Sequence, residues 1–148
     1  MDVAYPLAAA HHLAVFTLVA VLAAETALIF AGPLTAPVLA RLGRLDLFYG
    51  LVALAVLALG IGRVFFGLKD WTFYAGNAFF WAKIAAFLAV GALSAPPTIA
   101  FGRWGRAVRS GGALPGMAEI GRVRRFVVAQ WALLATIPLF AAALGQNL

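Results

Sequence analysis

No cysteine occurs among the 148 residues, which removes disulfides, thiolate metal sites and cysteine-held iron–sulfur clusters. Imidazole ligation rests on two histidines. The two methionines, Met1 and Met117, lie outside the apolar runs, so a thioether copper relay through a membrane lacks ligands. Acidic side chains are also scarce, with five Asp and Glu against eleven Lys and Arg. No glycine-rich phosphate loop or nucleotide motif occurs. What is abundant is apolar: 65% of residues are hydrophobic, only 11% are charged, and the mean hydropathy is +1.01. Such a composition belongs to an integral membrane protein. The basic excess falls in connecting segments, where membrane topology accounts for it, so no nucleic-acid partner is expected. Asp2 and the lack of a positive charge before the first apolar run argue against a cleaved signal peptide, so the first span is expected to stay.

Apolar runs bounded by Pro, Gly and charge lie at about 7–31, 46–67, 78–101 and 123–145, each close to the ~20 residues that cross ~30 Å of hydrocarbon. They predict an all-α integral membrane fold: one domain over 1–148, a four-transmembrane-helix up-down bundle with a cytoplasmic loop at about 102–122. Arg41 and Arg44 lie in one connection and Arg103, Arg106, Arg109 and Arg122 in another, whereas the 68–77 turn has only Lys69 beside Asp70. The positive-inside rule then puts both termini outside, in the periplasm, for a multi-pass protein of the bacterial inner membrane whose first partner is the lipid bilayer. Trp71, Tyr74 and Trp81 read as an outer aromatic belt and Trp104 as an inner anchor. Asp46 opens the second span, where a carboxylate caps exposed N–H groups, with Arg44 or Arg103 as partner. Pro96-Pro97 is expected to kink or end the third helix and free carbonyls, and Pro138 to bend the fourth.

Counting from the outer ends brings His11, Arg63 and Lys83 level on helices one, two and three, roughly 6–8 Å in. A cation in hydrocarbon costs roughly 2.5–3.5 kcal/mol on insertion scales, so each needs a partner, a cavity or an anionic ligand. A second polar layer lies toward the cytoplasmic side: Glu25, Tyr49, Ser94 and Gln130, one on each helix. His11 to Glu25 and Tyr49 to Arg63 are both fourteen residues, which leaves each pair ~40° apart around its helix, and Lys83 and Ser94 differ by ~20°. Three helices therefore carry one polar seam each, and burying the seams together hides them from lipid. Plainer readings stand beside this one. Arg63 and Lys83 could snorkel to the headgroups, a membrane histidine can be a hydrogen-bonded interhelical residue, and Glu25 could be neutral glue bonded to Gln130 or Tyr49.

One imidazole and two cations suit an anionic planar cofactor, haem b above all, with iron on His11 or His12 and the propionates on Arg63 and Lys83. A bare metal ion suits the layer less, because the cations repel it and no carboxylate lies at that depth. His11 and His12 diverge by ~100°, so they cannot hold one iron from opposite faces. A haem here would be five-coordinate, or take neutral Lys83 or a residue of another subunit in a homo-oligomer. Glu25 lies roughly 20 Å along the helix from His11, too far for a catalytic dyad.

The ordered set His11-His12-Leu13-Ala14 with Glu25, Asp46-Leu47-Phe48-Tyr49-Gly50, Gly60-x-x-Arg63, Phe80-x-x-Lys83 and Ser94-x-Pro96-Pro97-Thr98 resembles an uncharacterised bacterial family of predicted membrane proteins over nearly the whole chain. That family is similar in turn to copper-resistance D proteins and the four-helix membrane protoporphyrinogen oxidase. In the oxidase pattern a helix-one His, a helix-two Arg and a helix-three Lys surround haem b, which the resemblance places on His11, Arg63 and Lys83. His11 is preferred because the pattern is His, an apolar or aromatic residue, then Leu, here His11-His12-Leu13. The aromatic-rich pattern after the oxidase's His is missing, so its substrate is not implied. The expectation is a haem-b redox protein passing electrons between a substrate or quinone and an acceptor near the outer face. A small-solute or proton-coupled transporter with Glu25 as proton site is the alternative, and a structural accessory subunit with buried polar groups fixing helix register is a third.

Overall fold

A computed structural model describes residues 3–146. The chain forms α1 (Ala4–Phe30), α2 (Ala36–Phe66), the short α3 (Trp71–Ala75), α4 (Ala78–Arg109), α5 (Met117–Leu134) and α6 (Thr136–Gly145), with no strand among the described residues. Four spans are long and apolar enough to cross a membrane: α1, α2, α4, and α5 with α6 taken together.

Two helices are much longer than their hydrophobic runs. At 1.5 Å per residue, α2 and α4 reach roughly 46–48 Å, against ~30 Å of hydrocarbon. The expected start of the second helix at 46 is therefore corrected to Ala36, with Thr35 in the N-cap position and Pro37 in the first turn, where a proline costs no hydrogen bond. The third helix does not end near 101, and the expected loop at 102–122 shrinks to the connection between Arg109 and Met117. Arginine is a good helix former, and Arg103, Arg106 and Arg109 recur every third residue on an exposed face while Ala100, Phe101 and Trp104 are buried opposite. The helix stops where Gly111 takes φ 76° and the Gly112 N–H bonds back to the Ala107 carbonyl at 2.8 Å, a left-handed glycine cap.

Pro96 and Pro97 neither end nor interrupt α4. Proline 97 leaves the Leu93 carbonyl, four residues back, without its helical donor, and Gln130 Nε2 approaches that carbonyl at 3.5 Å from α5. The fourth span breaks at Ala135, three residues before Pro138. Asp46 is not a helix cap. It lies about 15 Å inside α2 and accepts a hydrogen bond from Thr98 Oγ1 on α4 at 2.7 Å. Neither expected partner reaches it: Arg103 pairs with Glu119 on α5, and Arg44 Nε donates to the Ala40 carbonyl.

Around the bundle α1 packs on α2, α2 on α4, and α4 on α5 and α6, with no backbone contact between the diagonal pair α1 and α4. The ring closes between α1 and α5. Trp131 Nε1 donates to Thr26 Oγ1 at 2.9 Å, and Arg124 Nε donates to the Ile29 carbonyl at 2.9 Å while its guanidinium lies over the Phe30 ring. Arg124 thus answers a carbonyl in the last turn of α1, where a cation also favours the helix dipole. Beyond the break at Ala135 the backbones of α1 and α6 stand further apart: among the described residues no Cα of α6 comes within 8 Å of one in α1, and Ile137 meets the interior through its side chain.

Two apolar clusters fill the interior. One, at the end bearing the arginines, gathers Ile29, Leu39, Leu42, Phe101, Trp104, Ile120 and Val127. The other, mid-bundle, joins Leu18, Leu22, Tyr49, Val56, Val90 and Leu134. Trp104 is only 3% exposed and belongs to the first cluster, so its expected role as an interfacial anchor is corrected to core packing. Trp71 and Trp81 are exposed, and Trp81 Nε1 donates to the Ala75 carbonyl, bracing α3 on the start of α4. Thr26→Val removes the hydroxyl that accepts from Trp131 at nearly constant volume, so it should lower stability by about 0.6 kcal/mol, the mean for interhelical hydrogen bonds in membranes. Steric-trapping unfolding in bilayers measures this, and a loss above ~2 kcal/mol would mean the α1–α5 closure depends on that bond far more than typical.

Candidate functional site

Histidine 11 is half-buried on α1 and turned toward α2. The contact depends on Gly60, where a Cβ would stand 3.3 Å from His11 Cε1 and 3.7 Å from Nδ1. A side chain there would push the ring away, so the missing Cβ is what lets the imidazole lie on the α2 backbone. Nδ1 is buried in this contact without a hydrogen bond, and the Val56 carbonyl, one turn back on α2, faces the ring. His12 is exposed on the other side of α1, its ring 6.1 Å from that of His11 and inclined by 72°. The 100° step between neighbours sends one imidazole inward and the other out.

Arg63 and Lys83 are half-buried on α2 and α4. Both lie within electrostatic range of His11, and Arg63 within range of Lys83, so three helices bring the three basic groups into one layer. The Lys83 ammonium is 5.7 Å from the Phe80 ring centroid, one turn toward the start of α4. Phe80 in turn meets Trp71, Tyr74 and Trp81, an aromatic wall above the layer. An apolar hollow of about 520 Å³ lies on the same end, lined by Val3, Pro6, Leu7, Ala10 and Phe66.

Past Arg63, α2 ends at Gly67, whose backbone runs so close to the preceding turn that a Cβ would collide with the Arg63 carbonyl oxygen. Gly67→Ala must therefore reshape the helix end that carries Arg63. A loss of about 1–3 kcal/mol in unfolding free energy is expected, and an unchanged unfolding midpoint would contradict it.

The second layer is drier. Glu25 is 4% exposed, Tyr49 4% and Gln130 2%. The Thr26–Trp131 bond joins the neighbours of Glu25 and Gln130, which keeps those two within about 3 Å of one level on antiparallel helices. Glu25 is not bonded to Gln130 or Tyr49 as expected of interhelical glue: its Oε1 and the Oε1 of Gln130 are both buried without partners. Ser94 turns its hydroxyl back to the Gly91 carbonyl at 2.7 Å. Tyr49 and Ser94 instead line a cavity of about 400 Å³ between α2 and α4, together with Asp46 and Thr98.

In the sequence Gly60, Gly50 and Thr98 stand out only as letters of short motifs, and nothing local singles out Gly91. Gly60 could have been found from its position one turn before Arg63, where a small residue admits a facing side chain. Asp46–Thr98 joins residues 52 apart and had no local signal.

Among the described residues no three His, Cys, Asp or Glu side chains form a group able to hold a metal ion; a single imidazole flanked by cations is a different donor set. No curated protein matches the chain, and no solved structure does. The family described as predicted membrane protein (DUF2214) matches residues 4–146, nearly the full length. With four membrane-spanning stretches and a match of that extent, the chain belongs to the DUF2214 family of predicted membrane proteins.

Proposed function

We propose that this protein is a haem-b-binding redox protein of the bacterial inner membrane, with both termini outside and the arginine-bearing end in the cytoplasm. The arginine distribution supports that orientation. The observation that carries the cofactor reading is the seating of His11. With Nδ1 buried against Gly60, Nε2 is the nitrogen left to ligate, and the close contact with the α2 backbone fixes the orientation of the ring. Arg63 supplies a planar fork for one propionate and Lys83 a point charge for the other. Two carboxylates would offset two cations that hydrocarbon otherwise penalises. When bound, haem supplies one-electron chemistry at its iron. The chain's own part is to hold and orient: the α2 backbone seats the ring, the aromatic wall of Phe80, Trp71 and Trp81 limits water from above, and the apolar hollow at Leu7, Ala10 and Phe66 lies beside the turn of α1 that carries His11.

The test is the absorption spectrum of protein purified from haem-replete cells. A Soret band with near-stoichiometric haem supports the proposal, and a colourless preparation that also fails to take up added haemin retires it.

A further inference from the structure

The cavity between α2 and α4 has a polar end and an apolar body. Asp46, Tyr49, Ser94 and Thr98 lie toward the end bearing the arginines, and Leu51, Leu54, Ala53 and Phe87 continue from them into the span. From Asp46 to Leu54 the groove runs about 12 Å along α2. Its rim is lipid-facing: Leu47, Leu51 and Leu54 are all more than half exposed.

Two glycines make the space. Gly50 and Gly91 line it from opposite helices, and a Cβ added to either would meet nothing within 4 Å. These glycines are not there to let helices touch, as Gly60 is. A helix-interior glycine costs roughly 0.5–1 kcal/mol relative to alanine, and here the return on that cost is empty volume.

The hydrogen-bonding groups at the polar end are complementary to a hydroxyl. Asp46 Oδ1 is taken by Thr98, and no described residue engages its other oxygen. Ser94 has given its proton to Gly91 and keeps an accepting oxygen. No hydrogen bond among the described residues occupies the Tyr49 hydroxyl, which is therefore a free donor. A ring hydroxyl could donate to Asp46 and accept from Tyr49, while an acyl chain or ester headgroup would leave the carboxylate unanswered.

We propose that this groove binds a long-tailed phenolic or quinol lipid, with the ring hydroxyl between Asp46 and Tyr49 and the tail running along Leu54 and Phe87. The site stands apart from the His11 layer and does not depend on haem being bound.

The experiment uses the full chain in lipid nanodiscs and a decyl-tailed quinol carrying a photoreactive group, with crosslinks mapped by mass spectrometry. Labelling is expected on α2 and α4 around Tyr49, Gly50 and Gly91, displaced by unlabelled decylquinol and not by excess phospholipid. Gly50→Leu and Gly91→Leu fill open space with a better helix former, so both should fold and lose the labelling. Gly43→Leu, at an equally open glycine away from the groove, should keep it. Tyr49→Phe should weaken displacement by decylquinol several-fold up to about tenfold, as expected for one hydrogen bond. Labelling that survives both groove-filling leucines, or equal displacement by phospholipid, would overturn the proposal, the second by showing an ordinary lipid groove. Running the same labelling on His11→Ala protein keeps its outcome separate from that of the haem reading.

Discussion

Replacing His11 with alanine is expected to abolish the Soret absorbance of the purified protein, while His12→Ala leaves it in place. The two residues are chemically identical and adjacent, so the pair controls for expression, haem supply and loss of an imidazole from this turn of α1. The difference between them is geometric. His11 lies on the α2 backbone at Gly60, in range of Arg63 and Lys83, and His12 faces away and is exposed. On the haem proposal, loss of the inward imidazole would remove the iron ligand, and no thiolate could replace it, since cysteine is absent. Haem content by pyridine haemochrome assay should fall to background for His11→Ala and stay within about twofold of the parent for His12→Ala, less than 0.5 kcal/mol in binding. The reverse pattern would assign the ligand to the outward residue and remove Arg63 and Lys83 from the site.

The number of spans and their polar seams were legible because hydrocarbon imposes a simple rule: about 20 apolar residues per crossing, with polar residues turned inward. His11, Arg63 and Lys83 obey that rule, and equal depth was enough to bring them into one layer. Where helices leave the hydrocarbon the rule stops applying. Residues 36–45 are broken up by Arg41 and Arg44 and residues 102–109 are polar by hydropathy, yet both are helical, because one face of each carries Leu39 and Leu42, or Trp104, into a core while arginines occupy the other. Thr35 followed by Pro37 was a readable start signal that the apolar count overrode. The paired prolines do not end the helix: Pro97 does free the Leu93 carbonyl, and Gln130 approaches it across the bundle. Such a compensation joins residues 37 apart and no local pattern announces it. The groove was equally hidden, since a glycine that admits a neighbour and one that preserves a void look alike until the facing helix is in place.

The arginine-bearing end should behave as a small water-soluble core attached to a membrane bundle, and Phe101→Ala tests that. Phe101 is 2% exposed, its ring 5.9 Å from that of Trp104, within a cluster drawn from α1, α2, α4 and α5. Leu39, Trp104 and Ile120 of this cluster belong to the helical extensions beyond the apolar runs, and Phe101 closes one of those runs. Burial at this boundary is partly from water, so the hydrophobic effect adds to packing there, unlike deeper in lipid. Truncating a fully buried phenylalanine then costs about 3–5 kcal/mol, transfer and cavity together. The matched control is Ile99→Ala, two residues earlier on the same helix and 67% exposed, which should cost no more than about 0.5 kcal/mol beyond helix propensity. Steric-trapping unfolding in nanodiscs gives both values. A Phe101→Ala cost below ~1 kcal/mol would mean the extensions do not pack as one core, too small for a filled site of this kind. If the cost is met and folded Phe101→Ala protein keeps its haem, the packing at this end and the His11 layer are energetically separate, as expected for sites with no shared partner.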